Sequence, residues 1–257
     1  GFFPVMFFFI AFMIGLGAGA SVLIGQAWGA GKVERVRAVA GTTLTVGVAF
    51  GLVVAVLGGS FTGPMLRALG TPADILHDAT QYARIILIAM PGLFVFLLAT
   101  AMLRGVGDTV TPLYTLLISA GIGLVLTPAL IRGWAGLPQL GVASGAAATV
   151  VSFVVATTWL GWRLMRLHSP LAPGHALAAH LRIDWGLLRA VLRVGVPTGV
   201  QMIVVSLAEI ALLGLVNGYG SQATAAYGAV NQVVAYVQFP AISIAITTSI
   251  LGAQAIG

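Results

Sequence analysis

The stretch Ser21-Val-Leu-Ile-Gly-Gln-Ala-Trp-Gly29 closes a long uncharged run and returns near the other end of the chain as Ser249-Ile-Leu-Gly-Ala-Gln-Ala-Ile-Gly257. Both copies read S-x-L-x-x-Q-A-x-G. A repeat at so long an interval points to two similar halves rather than to a short-period solenoid. The first copy runs straight into Ala30-Gly-Lys-Val-Glu-Arg-Val-Arg37, which holds the first charges of the chain. A long uncharged run closed by the same motif, twice over, is the pattern of a helical membrane protein built from duplicated bundles.

Composition agrees. The 257 residues are 59% hydrophobic and 7% charged, with a mean hydropathy of +1.07. Soluble domains carry about 25% charged residues, so this supply cannot make a watery surface. The 34 glycines suit membrane helices, which gain by close backbone approach. No cysteine is present, which excludes disulfides, thiolate metal sites and cysteine nucleophiles. The net charge of +6 would favour nucleic acid in a soluble protein; in this context it reflects loops facing anionic lipid, and no nucleic-acid partner is expected. The first residue is not Met, no cationic leader precedes the first span, and the second motif copy ends the chain. Both ends therefore read as cut, and a fragment is expected.

Seven spans are predicted, roughly at residues 1–28, 38–61, 85–103, 113–131, 141–162, 194–216 and 225–257. Residues 64–82, with Arg67, Asp74, His77 and Asp78, read as a mixed-charge segment at an interface. The fold class is all-α: a polytopic membrane helix bundle of two parallel-repeat bundles, with seven spans of an expected twelve. Its divisions are a first bundle at 1–162, a linker at 163–193 and the first two helices of a second bundle at 194–257. In the linker, Arg182, Arg189 and Arg193 fall within about 40° on a helical wheel, which predicts an amphipathic helix lying on the inner leaflet. Nine Lys and Arg follow spans one, three and five, against three after spans two and four, so the first set of loops is expected to be cytoplasmic. Both motif copies close odd-numbered spans and should end at the same leaflet.

Several pieces taken in order carry a resemblance: Gly25-Gln-Ala-Trp-Gly-Ala-Gly-Lys32, Arg67-Ala-Leu-Gly-Thr-Pro72 with Tyr82, Leu103-Arg-Gly-Val-Gly-Asp-Thr-Val-Thr-Pro112, Leu140-Gly-Val-Ala-Ser-Gly-Ala146 and Gly195-Val-Pro-Thr-Gly-Val-Gln201. In this order and spacing the chain resembles the multidrug and toxic compound extrusion (MATE) family, from its second to its eighth helix. The resemblance implies a secondary antiporter of the cell inner membrane. It would export amphipathic or cationic drug-like molecules in exchange for Na⁺ or H⁺ by alternating access, as a monomer and without a cofactor. A lipid-linked saccharide flippase of related fold and a truncated, non-transporting membrane protein are the rival classes. Where the family's fifth helix often carries Asn and, four residues on, Asp before Pro, this sequence has Gly123 and Thr127 before Pro128. No first-bundle cation ligand is carried over to those positions.

Glu209 is the one ionisable residue placed well inside a predicted span. A carboxylate at that depth costs several kcal/mol unless protonated, paired or wet. It is therefore the candidate cation-coupling residue; a neutral Glu bonded to a neighbouring helix is the structural alternative. Gln26 and Gln254, equivalent in the two copies, either line the inward cavity or bond between helices. Tyr227, Asn231 and Gln232 form a polar patch that is either substrate-lining or packing, and Pro240 interrupts the same span. Arg104 and Asp108 either close a cytoplasmic gate as an ion pair or serve as a basic anchor and a turn former. His168, His175 and His180 are irregularly spaced, and no metal site is expected. Gly31-Lys32 is not a phosphate loop, because Gln26 and Val33 stand where Gly and Ser or Thr are needed. No hydrolase triad is visible, and no enzymatic activity is expected.

Overall fold

The computed structural model describes residues 3–68, 76–133 and 143–257. Its helices are α1 (Phe3–Gly29), α2 (Val33–Ala68), α3 (Leu76–Ile88), α4 (Met90–Gly105), α5 (Val110–Arg132), α6 (Ala143–Arg166), α7 (His175–Ala178), α8 (Trp185–Asn217) and α9 (Ser221–Ile256). Among the described residues, six helices are long and apolar enough to cross a membrane, or seven with the bent pair α3–α4 counted as one span. The seven expected spans are thus present, mostly longer than the hydropathy alone marked. The 36 residues of α2 extend about 54 Å, well beyond a hydrocarbon core of about 30 Å, so its ends project into water. Asp74 and residues 134–142, with the start of the Leu140 motif, lie outside the described residues.

The third span is broken. The axes of α3 and α4 differ by 49°, with Pro91 in the first turn of α4. Proline has no N–H to give and its ring crowds the carbonyl four residues back, so the helix bends there.

The linker differs from expectation. Asp184 caps α8, its Oδ1 accepting from the Gly186 N–H at 2.8 Å and the Leu187 N–H at 3.1 Å. From that cap one helix runs unbroken through Pro197 to Asn217. Arg182 precedes it, while Arg189 and Arg193 sit exposed on its first turns. The arginine stripe therefore belongs to the overhang of a spanning helix and not to a separate interfacial one. A free-standing helix would need its own stop, and nothing between Arg189 and Val194 supplies Gly or Pro to end it.

α1 is the central rod, packed against α2, α4, α8 and α9. Hydrophobic burial supplies no drive between helices already in lipid, so close backbone approach has to hold them. Gly15 and Gly19 of α1 face Gly195 and Gly199 of α8. A methyl group on Gly15 would lie 2.5 Å from the Gly195 carbonyl oxygen, and one on Gly19 would strike the carbonyl of Val191. Phe9 and Phe12 of α1 meet Phe50 of α2 at 5.9 and 5.1 Å between ring centroids. Phe50 in turn stacks on Phe94 of α4 at 6.0 Å. Such pairs add roughly 0.5–1.5 kcal/mol each beyond their buried area.

The turns that follow α1, α4 and α6 gather at one end, which carries the nine basic residues of the odd-numbered loops. Contacts fix this grouping: Thr42 on α2 donates to the Arg182 carbonyl at 3.1 Å, and Arg163 on α6 donates to Thr111 Oγ1 on α5 at 3.4 Å. At the opposite end, Arg84 on α3 donates to the Gly59 carbonyl of α2 at 3.0 Å.

Candidate functional site

At the basic end the two motif copies meet. Gly29 rests on the backbone of Gln254, and Gly257 rests on the backbone of Gln26, so that a methyl group on either glycine would collide with the opposite main chain. Between them a methyl group on Gly25 would stand 3.3 Å from the Ala253 Cβ, still tight. The crossing is reciprocal: the glutamine of each copy is the floor for the glycine of the other. The expectation that both copies end at one leaflet is met by direct contact.

Gln254 also tethers the neighbouring turn. Its Nε2 donates to the Gly105 carbonyl at 2.8 Å, satisfying an acceptor in the last turn of α4 that has no partner within the helix. The interhelical role offered by the sequence thus applies to Gln254. For Gln26 no side-chain hydrogen bond is found among the described residues, and its contribution to the crossing is its backbone. Gly107, at φ +85, makes the tight turn beside Gln254, a conformation most side chains avoid.

Arg104 and Asp108 do not pair. Asp108 Oδ1 accepts from the Thr111 N–H at 2.9 Å and so opens α5, while Arg104 sits half-buried at the end of α4. The ion pairs found among the described residues are Glu34 with Arg37 at 2.7 Å and with His180 at 3.3 Å. The first lies within α2; the second joins the segment before α8 to α2, next to Gly41, where an added methyl group would strike the His180 carbonyl.

Away from the basic end α1 and α8 stay in close contact as far as Gly15 and Gly199. α8 beyond Gly199 is almost wholly exposed, and on α9 only Ile250 and Ala253, both at the crossing, are buried. Glu209 lies on α8 inside the span, as expected, twelve residues past Pro197. It is exposed there, like almost every residue of α8 beyond Gly199, with no hydrogen bond or ion pair among the described residues. Asn231 and Gln232 are exposed on the far part of α9, and Tyr227 is half-buried one turn before Asn231. These three are not brought to the Gln26–Gln254 crossing; the length of α9 separates them.

A cavity of about 460 Å³ lies at the α3–α4 bend. Pro91, Leu93 and Val95 line it from α4, and Thr149, Phe153 and Thr157 from α6. The Thr157 hydroxyl is buried without a partner. Its size and mostly apolar wall fall in the range of small-molecule sites, about 300–1,000 Å³. None of the candidate site residues named from the sequence lines it. Pro91 was the available signal, since a mid-span proline marks a break; the facing positions of α6 carry no mark of their own. The G-x-x-x-G spacings Gly15–Gly19 and Gly195–Gly199 were likewise legible as helix-contact signals, although their pairing was not. Among the described residues no group of three or more His, Asp or Glu side chains is placed to hold a metal ion.

Among the described residues, six helices long and apolar enough to cross a bilayer, or seven spans with the bent pair, define a multi-pass membrane protein. The MatE family model matches residues 1–129 and 197–257. The Probable multidrug resistance protein YoeA of Bacillus subtilis (strain 168) is 48% identical over 256 residues, covering 100% of this chain and 55% of YoeA. The Probable multidrug resistance protein NorM of Thermotoga maritima is 29% identical, covering 92% of this chain and 50% of its own length. A crystal structure of MATE in the straight conformation superposes with a TM-score of 0.86 at 25% identity, over 98% of this chain and 55% of that one. The chain belongs to the MatE family. It spans about half the length of the curated relatives it matches.

Proposed function

We propose that this chain is the part of a multidrug exporter that carries its inner gate, working by alternating access with Na⁺ or H⁺ as the coupling ion. The observation that carries this is the reciprocal crossing of the two motif copies at the basic end, with α9 exposed beyond it and α8 exposed beyond Gly199 among the described residues. Membership of the MatE family and the names of the relatives, multidrug resistance proteins among them, support the substrate class.

In this proposal the basic end is cytoplasmic, following the excess of Lys and Arg there. The crossing is then a closed inner gate, and the space between α1 and the outer parts of α8 and α9 is the outward-facing path. Amphipathic drug-like molecules bind along it. A second apolar surface apart from that path is the cavity at the α3–α4 bend, lined from α2, α3, α4 and α6, where the Thr157 hydroxyl, without a partner among the described residues, suits a polar edge. Glu209 on α8 is the coupling carboxylate. An ion that binds one conformation more tightly than the other shifts the equilibrium by that difference in affinity and by nothing else. The polar patch Tyr227, Asn231 and Gln232 on α9 lies on the same path. The protein is proposed to work as a monomer in the cell inner membrane, without a cofactor and without enzymatic chemistry.

The test is fluorescent-dye efflux from vesicles holding the full-length parent protein, under separate Na⁺ and pH gradients. Glu209→Gln is expected to abolish efflux while expression and melting temperature stay unchanged. Full efflux by that variant removes Glu209 from the mechanism.

A further inference from the structure

We propose that the basic ends of α5 and α6 form a binding site for the phosphate of an anionic phospholipid in the adjoining leaflet. Arg163 and Arg166 stand three apart on α6 and so share a face. The Arg163 guanidinium carbon lies 5.5 Å from the Trp159 ring centroid and 5.7 Å from that of Tyr114 on α5. Its Nε donates to Thr111 Oγ1 at 3.4 Å. Arg166 lies over Trp162 at 4.4 Å.

Neither arginine has a carboxylate partner among the described residues. The ion pairs found there both involve Glu34, and the nearby Asp108 directs Oδ1 to the Thr111 N–H. Two guanidinium groups are thus held in place without being neutralised. An aromatic face engages the flat side of a guanidinium and leaves its N–H edge available, and that edge matches the oxygens of a phosphate in bidentate fashion. Ordering by the rings also removes part of the entropy that a free arginine loses on binding.

The surroundings select a lipid over a soluble anion. Tyr114, Trp162, Met165 and Leu167 are exposed around the pair, giving acyl chains an apolar wall directly beside the two charges. Aromatic rings with basic side chains at a span's end lie at the depth of the headgroups. A phosphate tethered there by its own acyl chains arrives at high local concentration, which free phosphate does not.

The experiment reads the two tryptophans of the site. In the full-length parent carrying W28F, W134F and W185F, Trp159 and Trp162 remain as reporters within this chain, and any further tryptophans of the parent are replaced likewise. The protein is placed in phosphatidylcholine nanodiscs containing an equal fraction of brominated phosphatidylglycerol or of brominated phosphatidylcholine. Stronger quenching by the brominated anionic lipid is expected. That excess is lost in R163Q/R166Q and at least partly retained in R163K/R166K, which keeps both charges. Equal quenching by the two lipids in the unsubstituted arginine background overturns the proposal and needs no arginine variant to fold. An excess that survives R163Q/R166Q overturns it as well. Relief of the excess by inorganic phosphate at matched ionic strength would show a free-anion site and overturn the lipid assignment.

Discussion

The two copies of S-x-L-x-x-Q-A-x-G are alike in sequence and unlike in surroundings. In α1, Ser21, Ile24, Gly25 and Ala27 are buried among neighbouring helices; in α9, Ser249, Leu251 and Gly252 are exposed and only Ile250 and Ala253 are covered. What the copies share is the contact they make with each other, Gly29 on Gln254 and Gly257 on Gln26. That contact is what the two copies have in common among the described residues. The first copy lies in a packed bundle, and the second touches that bundle along Ile250 to Gly257. The chain spans about half the length of the relatives it matches, so the exposure of the second copy is not a property of the motif.

The comparison breaks most severely at the neighbouring crossing that orients it. Gly19→Leu drives a side chain into the Val191 backbone, and helix main chain cannot yield as a side chain does. A loss of about 3 kcal/mol or more is expected, seen as a lowered melting temperature or loss of monodisperse protein in size-exclusion chromatography. Gly63→Leu, where the added Cβ meets nothing within 4 Å, is the matched control and should leave both unchanged. Similar losses in the two variants would refute the close-packed α1–α8 contact.

Next in size are Gly29→Val and Gly257→Val, each expected to cost about 1–3 kcal/mol. Reciprocity adds a sharper demand. Once either variant has separated the crossing, the other has little left to disrupt, so the double variant should lose less than the sum. Strict additivity would mean that the two glycines do not act on one contact.

Gln254→Ala removes the hydrogen bond to the Gly105 carbonyl and should cost about 1 kcal/mol. Gln26→Ala removes no such bond and should cost less. Thermal unfolding of the two variants side by side tests whether the copies differ as their surroundings do; a reversed order contradicts the assignment. The smallest change is expected from Glu34→Ala. Its carboxylate is 71% exposed, and surface ion pairs are worth about 0–1 kcal/mol. A larger drop in melting temperature would mean that the segment before α8 is held to α2 mainly by charge.

Much of this was legible in the chain. Spans announce themselves because a bilayer of fixed thickness demands a fixed length of apolar helix, and lysine and arginine mark one end of the bundle. Asp184 before Trp185 could be recognised as a cap, yet the arginine stripe beyond it suggested a separate helix. Periodicity reports a polar face and does not say where a helix stops. Glu209 stood out by its chemistry; its exposure is shared by every face of α8 around it, since no described element packs against that part of the helix. The cavity at the α3–α4 bend was invisible, because Thr149, Phe153 and Thr157 are ordinary residues of an apolar helix until a bent neighbour stands opposite them.

By itself the amino-acid sequence determined the class of solvent, the number of crossings, the basic side and the presence of two related halves, all of which depend on local hydropathy, charge and repetition. Tertiary structure alone decided that Gly15 and Gly19 meet Gly195 and Gly199, that Gln254 and not Gln26 holds the turn after α4, and that the two copies lie on each other. Partner choice among membrane helices rests on close backbone contact between segments far apart in the chain, and no local property of a residue records which distant backbone it will touch.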